Sequence, residues 1–122
     1  MEKKRILAID DSVAQLTIYQ GILASRYVFR AAKSASEAFS FLNTNLADIV
    51  LLDIEMPTVS GFEFLKDIRK IPSCFDVPII IISSKSGEDF DMQVKNSSAT
   101  GVLAKPVQPE ALIATIEKHL TP

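Results

Sequence analysis

Four apolar runs of the sequence each end in side chains that could do chemistry. In chain order these side chains are Asp10 and Asp11, Asp53, Ser83 and Lys105. The carboxyl ends of parallel strands meet at one edge of an open α/β sheet, which is where such folds place their ligands. If the runs are strands of one parallel sheet, we expect all five side chains to converge on a single cleft.

The residue types predict what that cleft would bind. Three carboxylates repel one another, each pair at ~4 Å by roughly 1 kcal/mol in water and about 4 kcal/mol at an effective dielectric of 20. An all-oxygen set of ligands favours Mg²⁺, with Mn²⁺ as the second candidate. Ser83 offers a hydroxyl donor, and Lys105 offers a cation for phosphate oxygens. Together they predict a site for an aspartyl phosphate beside a metal ion.

The hydrophobic pattern alternates between strands and helices five times. The predicted strands cover residues 5–9, 27–32, 48–53, 79–82 and 101–104. The predicted helices cover residues 13–24, 62–70, 87–96 and 109–120, with another from a capping box at Ser34 to residues 43–45. Such alternation is typical of a parallel sheet with right-handed crossovers. We therefore predict one flavodoxin-like, doubly wound domain of three layers over residues 1–122, with strand order 2-1-3-4-5.

Composition excludes several other classes. The chain has 122 residues, 48% of them hydrophobic, and a net charge of −2, so nothing suggests nucleic-acid binding. Its apolar runs are too short for a membrane span, and no signal-peptide core follows Met1. A cytoplasmic location is expected. Cys74, the one cysteine, is expected to be inert in a polar loop, and His119 to be structural.

At these positions the sequence resembles the receiver domain of bacterial response regulators, of the kind found as single-domain chemotaxis regulators in two-component signalling. The matching pieces are Asp10-Asp11-Ser12, Asp53-Ile-Glu-Met56-Pro57 with Gly61, Pro78 before an apolar run to Ser83, and Lys105-Pro106. The resemblance covers the whole chain. Each piece is weak alone, but together they are highly specific.

The resemblance implies a role for each site residue. Asp53 would be the phosphoacceptor, taking its phosphoryl group from a histidine kinase or a histidine phosphotransfer protein. Ser83 and Lys105 would bind the phosphoryl oxygens. The implied Mg²⁺ ligands are Asp11, Asp53 and the backbone carbonyl of Glu55, with Asp10 acting mainly through water. The chain would then be a switch that changes a protein-interaction surface, and not an enzyme.

Two positions depart from the family pattern. Val102 stands three residues before Lys105, where the family usually has Tyr or Phe, and Val107 stands where Phe is common. The aromatic switch is therefore missing. This leaves a phosphorylation-independent interaction module as the alternative function. A haloacid-dehalogenase-type hydrolase is disfavoured, because Asp53-Ile-Glu55 lacks the second Asp of its motif.

The first helix carries two apolar stripes. Val13, Leu16, Tyr19 and Leu23 are predicted on the buried side. Ala14, Ile18 and Ile22 form a second stripe at i, i+4 and i+8. The second stripe either packs on the last helix or forms a docking patch for the helical phosphodonor, and the sequence leaves both interpretations open.

Overall fold

The structure, a computed structural model, describes residues 3–57 and 60–120, so the four terminal residues of the predicted domain lie outside it. Its strands are β1 Arg5–Ile9, β2 Val28–Ala32, β3 Ile49–Asp53, β4 Ile79–Ser83 and β5 Gly101–Ala104. Its helices are α1 Val13–Leu23, α2 Ala35–Thr44, α3 Gly61–Arg69, α4 Glu88–Lys95 and α5 Pro109–Leu120, with a short 3-10 turn at Pro72–Cys74. The predicted elements are confirmed, with strand and helix bounds that differ by at most one residue.

All five strands are parallel and lie in the predicted order, β2-β1-β3-β4-β5. Ile9 pairs with Leu52, and Asp53 pairs with Ile82 on the next strand. Ser83 pairs with Ala104 at the end of β5. This register brings the carboxyl ends of β1, β3, β4 and β5 to the same level, so the residues that end or follow these strands share one edge.

The sheet separates two hydrophobic clusters. Helices α2, α3 and α4 cover one face, and α1 and α5 cover the other. Every residue of β3 and β4 is buried, which explains their continuous aliphatic sequence. Burial on both faces fixes these central strands firmly, and therefore fixes the position of Asp53 and Ser83 at their ends.

Side-chain caps set the starts of α1 and α2, and the cap of α2 is the predicted one. Ser12 Oγ accepts a hydrogen bond from the Gln15 amide at 3.2 Å. Ser34 Oγ accepts one from the Glu37 amide at 3.1 Å, and the Glu37 carboxylate accepts one from the Lys33 amide at 2.8 Å. The bonds to Ser12 and Ser34 satisfy first-turn amides that have no partner within the helix, and the bond from Lys33 fixes the chain just before α2.

The prediction for α1 was right for Leu16, Tyr19 and Leu23 but wrong for Val13, which is 59% exposed. At 100° per residue the three buried side chains lie within about 60° of one another, and Val13 lies about 60° beyond them. In the second stripe, Ile18 is 53% exposed, whereas Ile22 is partly buried and packs against the cluster beneath α1 and α5. The stripe is therefore open to solvent at its centre and partly covered at Ile22, and both interpretations of it stay predictions.

Cys74 lies in a different environment from the one expected. It is 2% exposed, because the 3-10 turn folds back on α3 and packs the thiol into the core. Burial raises the pKa of the thiol. The turn is held by Arg69, whose Nη1 donates to the carbonyls of Cys74 at 2.9 Å and Val77 at 2.6 Å. Nη2 donates to the carbonyl of Ser98 at 2.7 Å and lies 3.5 Å from Thr100 Oγ1. One side chain thus ties α3 to two loops at the amino end of β4 and β5.

Candidate functional site

Three carboxylates meet at the carboxyl edge of the sheet. Asp10, Asp11 and Asp53 each place an oxygen within 4.8 Å of the others. Asp10 and Asp53 are buried, whereas Asp11 is exposed at the mouth of the cluster. Backbone amides fix the two buried groups, since Asp10 Oδ1 accepts from the Ser12 amide and Asp53 Oδ1 from the Glu55 amide, both at 2.9 Å. The sequence predicted this convergence.

Lys105 brings a cation to the cluster from the end of β5. Its Nζ donates to Asp53 Oδ1 at 3.2 Å and lies 3.5 Å from Glu55 Oε1. Burial acts to lower the pKa of Lys105, but the hydrogen bond and charge of Asp53 outweigh it, and the pKa is raised. Lys105 therefore stays protonated at neutral pH and is shared between two carboxylates.

Asp10 shows that one lysine does not neutralise the cluster. The pKa of Asp10 is raised to about 6, mainly by burial and also by the charge of Asp53, while the hydrogen bond from the Ser12 amide acts in the opposite direction. A bound divalent cation would remove this penalty. The donors are all oxygen, with one carboxylate exposed and two buried, which fits Mg²⁺ and its retained water ligands.

Ser83 is the last residue of β4 and is 1% exposed. In this structure its Oγ accepts the Lys85 amide at 2.9 Å, at the start of the loop that leads to α4. The register places Ser83 one residue beyond Ile82, the partner of Asp53. Ser83 thus lies at the predicted edge, with its hydroxyl engaged by the loop.

Sequence reasoning missed the side chain of Glu55 and considered only its backbone carbonyl. Glu55 Oε1 accepts the Ser84 amide at 2.7 Å, and Oε2 accepts the Ser84 hydroxyl at 2.6 Å. The Ser84 hydroxyl is the largest cause of a lowered Glu55 pKa, and the charge of Lys105 acts in the same direction. No spacing in the sequence indicates this pairing, because its partners lie 29 residues apart.

Tyr19 was predicted only as a core residue. Its hydroxyl is buried and has no hydrogen-bond partner within residues 3–57 and 60–120. Burial raises the pKa of Tyr19, and the charges of Asp10 and Asp53 raise it further. The phenol therefore stays neutral, and it lies close enough to the acid cluster for the charges of Asp10 and Asp53 to affect its pKa.

A model of the response regulator receiver domain matches residues 6–117 of the chain. The chain belongs to the response regulator receiver family. Acceptance of a phosphoryl group on an aspartate is the general function of this family, and its members bind Mg²⁺ at an acidic pocket.

Solved receiver structures share the fold along almost the whole chain. The chemotaxis protein CheY4 of Vibrio cholerae superposes with a TM-score of 0.91 at 28% identity, covering 97% of this chain and 99% of that one. A CheY-like receiver domain from Methanospirillum hungatei gives 0.88 at 27% identity, covering 98% and 94%. The receiver therefore has a CheY-like, flavodoxin-like fold, as predicted.

Curated relatives differ in how much of their length the receiver spans. A probable cyclic di-GMP phosphodiesterase of Vibrio cholerae is 32% identical over 115 residues, which is 94% of this chain but only 26% of that protein. Protein PilH of Pseudomonas aeruginosa is 29% identical over 117 residues, 95% of this chain and 97% of its own. The receiver thus matches both a part of a long protein and nearly the whole of a short one.

The two departures from the family pattern differ in burial. Val102 is 41% exposed on β5, whereas Val107 is partly buried and packs against the cluster beneath α1 and α5.

Membership of the family implies a kinase or phosphotransfer partner. Among the described residues no helix is both long and apolar enough to cross a bilayer.

Proposed function

We propose that this receiver, as one domain over residues 1–122, accepts a phosphoryl group on Asp53 from a phosphohistidine and thereby switches a protein-interaction surface. The convergence of a buried Asp53 with two further acids and Lys105 supports this role most directly. A carboxylate at this edge is held in place by a backbone amide and a lysine, so it is preorganised for attack. A cytoplasmic location follows from the proposed partner.

In the proposed transfer, a carboxylate oxygen of Asp53 attacks the phosphorus, the bond from phosphorus to the donor imidazole nitrogen breaks, and the imidazole takes up a proton. Mg²⁺, held by Asp10, Asp11, Asp53 and the backbone carbonyl of Glu55, would neutralise charge on the transferring group. Lys105 Nζ would move from Asp53 to the phosphoryl oxygens, and the Ser83 hydroxyl would turn towards them.

Incubation with Mg²⁺ and acetyl phosphate, read by intact mass, tests the proposal directly. The wild-type protein is expected to gain one phosphoryl group, and a chelator should prevent the gain. A phosphorylation-independent interaction module is the second candidate, favoured by the missing aromatic at Val102. A wild-type protein that binds Mg²⁺ but takes up no phosphoryl group would support the second candidate and contradict the first.

Mg²⁺ is also expected to raise the stability of the domain. Because Asp10, Asp11 and Asp53 repel one another, a cation bound to the native state adds stability by mass action. At about 100 times its dissociation constant, the gain is roughly 2.7 kcal/mol. Thermal melting with Mg²⁺ and with a chelator measures it. A melting temperature that does not respond to millimolar Mg²⁺ would count against the metal site.

The exposed part of the second stripe on α1 is the proposed docking patch for the phosphodonor. Ala14 and Ile18 are exposed, and α1 contains no charged residue. The helix begins directly after Asp11 and Ser12, so its first turns border the acid cluster. An uncharged helix face with an apolar side chain suits a helix-on-helix contact with a kinase or phosphotransfer protein.

Ile18→Lys is expected to leave labelling by acetyl phosphate unchanged but to slow transfer from a phosphohistidine protein at least tenfold. A buried lysine would be left without a partner in the complex. Gln20→Lys is the matched control, since it adds the same charge to an exposed position about 160° away on the same helix. Equal transfer rates for the two variants would place the docking surface elsewhere.

A further inference from the structure

Glu55 holds the loop between β4 and α4 in one arrangement. The amide and the hydroxyl of Ser84 both donate hydrogen bonds to the Glu55 carboxylate, at 2.7 and 2.6 Å. The next residue, Lys85, is held through its amide by Ser83 Oγ. Ser84 and Lys85 are themselves exposed, so these bonds and not core packing position them.

Both anchors of the loop are groups that phosphorylation would disturb. The Ser83 hydroxyl is a proposed donor to the phosphoryl oxygens, and Glu55 shares Lys105 with Asp53 at 3.5 and 3.2 Å. A phosphoryl group on Asp53 would attract Lys105 and add negative charge beside the Glu55 carboxylate. The carboxylate would then lose its cation and be repelled, which weakens its hold on Ser84.

The far end of the loop is Gly87. Gly87, the residue before α4, has a φ of 106°, a conformation that other residues rarely adopt, and its surroundings are open. Residues 84–86 are exposed, so a change in their direction after release from Glu55 would not displace packed core side chains. Val102 provides no aromatic ring to report the change.

From these contacts we propose that the Glu55 carboxylate is a positioning residue that holds the unphosphorylated state by competing with the phosphoryl group for Lys105 and clamping Ser84. This rests on the proposed phosphorylation of Asp53. It assigns the switch of this receiver to Glu55, Ser84 and Lys105 in place of the missing aromatic. Removing the clamp should shift the free protein towards the phosphorylated arrangement.

Two variants separate the clamp from a simple loss of charge. Glu55→Ala removes all three contacts and one negative charge, whereas Ser84→Ala removes one hydrogen bond and no charge. Beryllofluoride with Mg²⁺ serves as the phosphoryl mimic. We expect its binding midpoint to fall roughly tenfold in Glu55→Ala and about fivefold in Ser84→Ala, as lost hydrogen bonds to a charged group predict. In the double variant the midpoint should equal that of Glu55→Ala, because both act through one contact.

Amide NMR spectra of the proteins without the mimic provide a second test. If Glu55 had only a structural role, its removal would not shift the loop peaks towards their positions in the mimic-bound protein. In Glu55→Ala without the mimic, the peaks of Lys85 and Ser86 should shift from their wild-type positions towards those of the beryllofluoride-bound wild type. Glu63→Ala is the matched control, because it removes the same negative charge from an exposed position. Glu63 lies at the start of α3 and pairs with Lys66 at 3.6 Å. Its peaks and midpoint should stay at wild-type values.

Unshifted peaks in free Glu55→Ala, or an unchanged midpoint in Ser84→Ala, would overturn the clamp. A wild-type protein that does not respond to beryllofluoride with Mg²⁺ would instead overturn the proposed phosphorylation site, and the clamp with it. The two failures are therefore distinguished by which protein fails to respond.

Discussion

Asp53→Asn is expected to take up no phosphoryl group from acetyl phosphate under conditions in which the wild-type protein takes up one. An amide is not nucleophilic enough to attack phosphorus, and no neighbouring group can replace it at the same position. Asp10 is held towards the Ser12 amide, and Glu55 is engaged by Ser84. Intact mass after incubation with Mg²⁺ and acetyl phosphate measures the loss.

The same variant is expected to stay folded and to melt no lower than the wild type in a chelating buffer. Asp53 is 5% exposed and lies near two other acids but only one lysine. Neutralising it therefore removes more repulsion than attraction, by about 1 kcal/mol. Its response to Mg²⁺ should be smaller than that of the wild type, because one ligand is weakened.

Asp67→Asn is the matched control for both measurements. Asp67 lies on α3, has a side chain that is 54% exposed, and pairs with nearby Lys70 at 3.5 Å. It undergoes the same chemical change far from the cluster, so labelling and the Mg²⁺ response should match the wild type. Full labelling of Asp53→Asn would show that another residue accepts the phosphoryl group.

Arg69→Met is expected to cause the largest loss of stability. The change leaves the carbonyls of Cys74, Val77 and Ser98 without their donor and releases two loops from α3. The expected loss is about 3 kcal/mol, since net hydrogen bonds to a charged group and orphaned acceptors each contribute on this scale. In a domain of this size the melting temperature should fall by on the order of 10 °C.

Arg26→Met provides the comparison for Arg69. Arg26 lies 3.8 Å from Glu117, and both side chains are more than half exposed, so the change should cost at most about 0.5 kcal/mol. Below its melting temperature, Arg69→Met should still be labelled by acetyl phosphate, because Arg69 acts at the amino end of β4 and Asp53 lies at the opposite edge. Equal melting temperatures for the two variants would show that the Arg69 contacts contribute little.

The sequence predicts most of the framework because the framework depends on local patterns. Continuous aliphatic runs specify β3 and β4, and a capping box specifies the start of α2. The acids, the Ser83 hydroxyl and Lys105 converge because the carboxyl ends of parallel strands lie at the same edge of the sheet. The missed features depend on contacts distant in sequence. Glu55 reaches Ser84 across 29 residues, and Arg69 reaches Ser98 across the same number.

Helical faces are predictable only to within the width of a stripe. Phe62, Leu65 and Ile68 repeat at helical spacing in α3, but Phe64 is the more deeply buried phenylalanine, at 3% exposure. Phe64 packs edge-on against Phe39 of α2, with ring centroids 5.1 Å apart. A single sequence does not contain the position of the neighbouring helix, so the choice between the two rings could not be made from periodicity.

Burial of the one cysteine gives this receiver a built-in reporter of local opening. An alkylating reagent can reach the Cys74 thiol only in molecules in which the 3-10 turn has come away from α3. Its rate of modification under native conditions therefore measures how often this turn, at the amino end of β4, opens. Asp53 lies at the opposite edge, so this reading can be taken on the phosphorylated and unphosphorylated protein alike, and it reports whether the signal crosses the full length of the strands.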